Sequence, residues 1–183
     1  MPSSHVLPSG VCRVPTALLL ERIRNPFECP VWDGCEGTLQ REQVVACLAN
    51  GNLASTPHDA LSHYPLEWHA QRVAYIAKQI KVELGKGHSL SDVLGQLGPL
   101  DLELPIPGLN HYPRNTLADG YHRLAALILL EIAEAQVSLS GDVFEMLQWA
   151  RFYPDKTWVR RFEIDFIRVH GHFDCTTGLL LQA

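Results

Sequence analysis

Apolar residues recur at the helical period most regularly over residues 65–84. Val73, Ile76, Ala77, Ile80 and Leu84 fall on one stripe there, and Gly85 follows as a stop. The spacing predicts a long amphipathic helix. Shorter helices are expected over residues 16–24, opened by Pro15 and closed ahead of Pro26, and over 38–49, with Thr38 as N-cap and Gly51 just past the end. Another covers 90–97. Residues 102–106 alternate apolar and polar, the strand period, and Pro105 places that strand at an edge or an end. Residues 116–118 read as a very short strand. Residues 120–136 are apolar nearly all round, as in a buried helix. Asp142 and Glu145 form a capping box for a helix to about residue 152. Residues 157–172 read as one long strand or hairpin arm, with Trp158, Phe162, Ile164 and Phe166 on one face. Residues 1–14 carry no predicted element, 25–37 form a packed loop around Phe27, Val31 and Trp32, and 111–115 form a polar loop. The whole is α+β: one domain over residues 1–183, with a small mixed sheet packed against several helices.

Composition narrows the class. With 46% hydrophobic and 19% charged residues, the 183-residue chain has the balance of a soluble globular domain. A net charge of -5 argues against a broad electrostatic grip on nucleic acid, while leaving room for a local basic groove. Cys12, Cys29, Cys35, Cys47 and Cys175 are an odd number with no CxxC spacing, as expected of free thiols in a reducing compartment. The first residues lack a basic-then-apolar leader pattern, and the longest near-apolar run, 124–133, is too short to cross a bilayer. A cytoplasmic protein without membrane insertion is the expectation.

The candidate chemistry centres on Asp119, Gly120, Tyr121, His122 and Arg123, at the start of the buried helix. Cations are misplaced at the positive end of a helix dipole, where acids belong. A glycine, backbone N–H groups without helical partners and a forked guanidinium are nevertheless what a phosphate site needs. The alternative is structural, with Asp119 capping the helix and Arg123 paired to a carboxylate.

Residues 118–126, Ala-Asp-Gly-Tyr-His-Arg-Leu-Ala-Ala, resemble the D-G-x-H-R-L-x-A motif of the ParB/sulfiredoxin superfamily. A Pro-Ile-Pro strand (Pro105, Ile106, Pro107) precedes the motif, and a helix carrying Arg72 lies upstream, so the resemblance covers about residues 65–135. It implies a ParB/sulfiredoxin-like fold that binds ATP or another nucleotide through Gly120, Tyr121, His122 and Arg123. By the same resemblance, His122, Arg123, Asp119 and Arg72 form the catalytic set, and Asp119 is a ligand for a divalent metal such as Mg²⁺. Sulfiredoxins carry their cysteine where this chain has Tyr121, so thiol repair is not implied. The 60 residues after Arg123 are too few for the DNA-binding and dimerisation parts of a partition protein. A compact nuclease and ATPase remains, similar to the plasmid-encoded fertility inhibition factors of the oncogenic suppression type, which block conjugative transfer. The competing reading is a non-catalytic inhibitor that binds a conjugation or secretion component, with Phe27, Val31 and Trp32 as its docking surface.

Two further groups carry weaker signals. Arg114 and Asn115, close before the motif, and Arg160 and Arg161, beside Trp158, are candidate DNA contacts, because basic and aromatic side chains together suit single strands. His170, His172 and Asp174 alternate as metal ligands would on a strand, and equally as a polar strand end would.

Overall fold

A computed structural model describes residues 9–21, 23–32, 34–57, 63–103, 117–140, 172–174 and 179–181. The chain is a mixed α+β protein built on a three-stranded sheet. In order, the elements are β1 (Ser9–Pro15), α1 (Thr16–Leu20), α2 (Arg41–Asn50), α3 (Leu66–Gly85), α4 (Leu90–Leu97), β2 (Leu100–Glu103), α5 (Tyr121–Leu129) and β3 (Glu134–Ser140). A separate hairpin pairs β4 (His172–Asp174) with β5 (Leu179–Leu181).

The sheet order is β1-β3-β2, with β1 antiparallel and β2 parallel to the central strand. Period-two patterning explains which face is covered. Cys12 and Val14 on β1, Ala135 and Val137 on β3, and Leu100 and Leu102 on β2 are all buried. Register joins them across the sheet, with Cys12 opposite Val137 and Val137 opposite Leu100. Between them, Arg13, Gln136, Ser138 and Asp101 point to the wetter face. Burial pushes the Cys12 thiol up to about 12, so it behaves as a small apolar side chain.

On the apolar face lie α3 and α5. The buried side of α3 is His69, Ala70, Val73, Ala74, Ile76, Ala77 and Ile80, and α5 buries Tyr121, Leu124, Ala125, Ala126, Leu127 and Ile128. The alanines let the two helices approach closely, since interaxial distance follows side-chain size at the contact. A capping box between Ser89 and Asp92 starts α4. Phe27, Val31 and Trp32 of the loop after α1 are half-buried and pack on the same core.

Several boundaries differ from the sequence pattern. The first residues do carry an element, because β1 is stitched along all of β3; that partner lies more than a hundred positions away and leaves no local signal. The helix at α1 ends at Leu20, well before residue 24. The cap of α2 is Gln40, not Thr38, and Gly51 closes it in the left-handed conformation as expected. The largest correction is at 120–136. The helix stops at Leu129, and 134–140 is the central strand. Its stop is a Schellman motif: Ile132 N–H reaches the Leu127 carbonyl, Glu131 N–H reaches that of Ile128, and Glu131 takes a φ of 55°. Glycine normally holds that position, so the glutamate hides the stop. Thr16 then fastens the turn, its Oγ1 donating to the Ile132 carbonyl at 2.7 Å and its N–H to that of Ala133 at 2.8 Å. The strand expected over 102–106 is seen as Leu100–Glu103, and the rest of that range lies outside the described residues, as do the helix at 142–152 and nearly all of the arm at 157–172.

Glu131→Gly is expected to raise stability by about 0.5–1 kcal/mol. Relief of a left-handed side chain (roughly 1–2 kcal/mol) exceeds the added flexibility of the unfolded chain. Equilibrium urea unfolding measures it; an unchanged or lower midpoint would show that Glu131 is not strained.

Candidate functional site

The turn into α5 is set by its contact with β2. Asp101 N–H donates to the Asp119 carbonyl at 2.9 Å, and Ala118 N–H to the Asp101 carbonyl at 2.8 Å. The chain then bends through Gly120, with φ at 112°. A Cβ there would lie 2.9 Å from Leu100 Cδ2 and 3.2 Å from Leu100 Cα. Glycine is therefore required by backbone conformation and by close packing on β2. Tyr121, the first helical residue, is buried, and its hydroxyl accepts from Leu117 N–H at 3.1 Å. Burial raises the Tyr121 pKa, the Leu117 bond opposing it, so the ring braces the turn as a neutral phenol.

Arg123 folds back over this turn. Its Nη2 donates to Asp119 Oδ2 at 2.8 Å and its Nη1 to the Leu97 carbonyl at 3.2 Å. The guanidinium also lies against Gly98, where a Cβ would come within 3.1 Å of Nη1. Asp119 is 74% exposed, so the pair itself adds at most about 1 kcal/mol. Its effect is positional: one edge of the fork is held by protein, and the charge is kept at the helix start. Here the structural alternative for Asp119 and Arg123 is realised in part, as an ion pair without a side-chain cap.

His122, on the second residue of α5, meets His69 from the first turns of α3. His69 Nδ1 and His122 Nε2 are 2.8 Å apart, and one of these nitrogens donates to the other. His69 is 1% exposed. Trp32 stacks on the His69 ring at 4.5 Å between centroids, and Trp68 meets both imidazoles edge-on. Tyr64 stacks on Trp68 at 4.0 Å. The loop carrying Trp32 is fastened beside them, since Cys35 Sγ donates to the Tyr64 carbonyl at 3.2 Å. An aromatic wall thus surrounds a hydrogen-bonded imidazole pair, and both histidines stand near the starts of their helices, the positive ends of the dipoles.

Arg72 sits one turn beyond His69 on α3. Its Nη1 donates to the carbonyls of Ser55 at 2.7 Å and Ala54 at 3.2 Å, tying the preceding loop to the helix. Burial lowers the Arg72 pKa, Tyr75 works the other way, and the Arg123 charge lowers it further.

Of the residues expected from sequence, Asp119, Gly120, Tyr121, His122 and Arg123 gather at the start of α5, with Arg72 on the adjoining helix. Arg114, Asn115, Arg160, Arg161 and His170 lie outside the described residues, whereas His172 and Asp174 belong to β4, opposite Leu181 and Leu179. Among the described residues no group of three or more His, Cys, Asp or Glu is placed to hold a metal, and no helix is long and apolar enough to cross a membrane. The sequence pattern does not single out His69, Tyr64 or Trp68 as site residues, and it offers Trp32 as loop packing or a docking surface rather than as a neighbour of the imidazoles. One signal was present: His69 precedes Val73 by four and Ile76 by seven, so a histidine stands on the buried stripe of α3. No protein-family model, curated protein or solved structure matches this chain.

Such a pair can hold and pass a proton. One ring of the pair donates to the other, and an imidazolium formed on the donor ring keeps that bond. The pairing itself is open to a double-mutant cycle. His69→Ala and His122→Ala are each expected to destabilise the protein, and the double variant to lose less than their sum by about 1 kcal/mol in urea unfolding. Additive losses would mean that the two rings do not interact in solution.

Proposed function

We propose that this chain is a ParB/sulfiredoxin-type nucleotide-binding phosphoesterase, an ATPase and DNA nuclease of the kind found among plasmid fertility inhibition factors. The observation that carries the reading is the His69–His122 pair, bonded at 2.8 Å where the starts of two helices converge beside Arg123. A phosphate ester needs neutralised charge and a group to move protons, and both are assembled here. The element order supports the reading too: a helix with Arg72, then β2, the bridge at Asp119, α5 and a parallel β3.

In this mechanism the α5 amides and the Arg123 charge bind the phosphate, with Arg72 adding to the positive potential. His122 takes the proton of the attacking water, and His69 behind it stabilises the imidazolium as a hydrogen-bond acceptor. Asp119, with one oxygen on Arg123, retains a second oxygen. One carboxylate suits a Mg²⁺ that arrives with phosphate and water ligands of its own; that ion would add charge neutralisation at the phosphate. Trp32 and Trp68 supply aromatic surface near the site, as a nucleobase requires. Arg114, Asn115, Arg160 and Arg161 are the proposed DNA contacts.

The test uses purified protein with ATP, Mg²⁺ and supercoiled plasmid. Wild type is expected to hydrolyse ATP and nick the plasmid. His122→Asn should lower turnover by about 100-fold with ATP affinity nearly unchanged. Arg123→Ala should weaken ATP binding by about tenfold or more. A wild type inert toward both substrates, or a His122→Asn variant at full rate, overturns the reading.

A further inference from the structure

At the far end of α5 the surface changes character. A groove of about 580 Å³ runs between α2 and α3 and ends on the last turn of α5. Val45 and Leu48 form its α2 wall, Lys78, Lys81 and Val82 its α3 wall, and Leu129 its end. Val45 is 52% exposed and Val82 41%, and these are the exposed large hydrophobic residues among the described ones. They stand on opposite walls of one furrow. Isolated exposed apolar side chains are ordinary; these two face one another across a groove that the end of α5 closes.

The charges say what kind of contact. In a chain of net charge -5, Arg13, Lys86 and Arg123 each have a carboxylate within ion-pair distance. Lys78 and Lys81, like Arg24, Arg41 and Arg72 elsewhere on the chain, have none among the described residues, and these two lie together on the groove. They lie one turn apart on the rim, the spacing at which two acids on a facing helix can answer them. Both walls are helical ridges at i, i+3 and i+4, the surface into which a third helix packs. The furrow is open to solvent, whereas an acyl chain is best served by an enclosed tunnel.

We propose that this groove docks an amphipathic helix of a partner protein, one with an apolar stripe flanked by Asp or Glu. Its apolar stripe covers Val45, Leu48 and Val82, and its acids pair with Lys78 and Lys81. The inference is independent of the nucleotide reading. The groove lies seven residues along α5 from His122, roughly 10 Å of helix.

Two synthetic helical peptides with the same leucine stripe test it, one flanked by glutamates and one by lysines, with binding to the full chain read by fluorescence anisotropy. The acidic peptide is expected to bind at least about tenfold more tightly than the basic one, with a preference that weakens in salt. Val45→Glu with Val82→Glu should abolish binding, and Lys78→Glu with Lys81→Glu should reverse the preference. All four positions lie on the surface, so an unchanged far-UV spectrum and melting temperature are expected. The proposal is overturned if neither peptide binds, if both bind alike, or if binding survives the valine substitutions. Capture by anionic vesicles without the acidic peptide, or self-association lost with the valines, would also overturn it.

Discussion

Gly120 lies so close to Leu100 that no side chain fits between the start of α5 and β2. That contact determines the rest of the site. It brings the first turn of α5 down onto the sheet, where Tyr121 seals the turn by accepting from Leu117 N–H. Once the helix begins there, the next two side chains have little choice. His122 faces α3, and Arg123 turns back to Asp119 and the Leu97 carbonyl. The left-handed conformation at Gly120 thus has a packing cause whether or not an anion binds. The glycine that the proposed phosphate site needs is the one the sheet already demands.

The α3–α5 contact is apolar along most of its length and polar at one end. Ala70, Ala74, Ala77, Ala125 and Ala126 remove bulk from it, so the helices approach closely with little to fix their relative rotation or slide. The His69–His122 bond supplies that registry. A buried polar pair adds little net stability but penalises every arrangement that separates its members. Trp32 and Trp68 pack against the buried His69 ring and make the penalty larger. The same property suits catalysis, since a ring held by packing and by a hydrogen bond needs no reorganisation when a proton arrives.

How much of this was legible in the sequence depended on distance along the chain. Local signals served well: the stripe of α3, the Ser89–Asp92 box of α4 and Gly51 after α2 all lie where their chemistry places them. Long-range pairing was invisible. Nothing in residues 9–15 announces a strand until β3 is there to receive it, and the sequence pattern carries the helix into the first residues of β3, 134–136, because Glu131 occupies a position where glycine is the usual stop. The grouping of Asp119, Gly120, His122 and Arg123 was legible because one turn holds it together. His69 and Trp32 were not, because they join the site from other elements and each resembles ordinary core packing when read alone.

The two walls of the groove bury unequal parts of themselves, and this bears on how a bound helix could be accommodated. α3 contributes seven buried residues and is tied to α5 by the histidines, whereas α2 contributes Val44 alone to the fully buried set. When the furrow between them adapts to an occupant, the displacement falls on the element with least buried area, because moving α3 would expose its apolar stripe and break the imidazole bond together. α2 is therefore the compliant wall and α3 the fixed one. The lysines are on the fixed wall, so charge sets the register of an incoming helix while α2 adjusts to its bulk. An occupant seated this way lies about two turns of α5 from His122 and leaves the start of the helix uncovered.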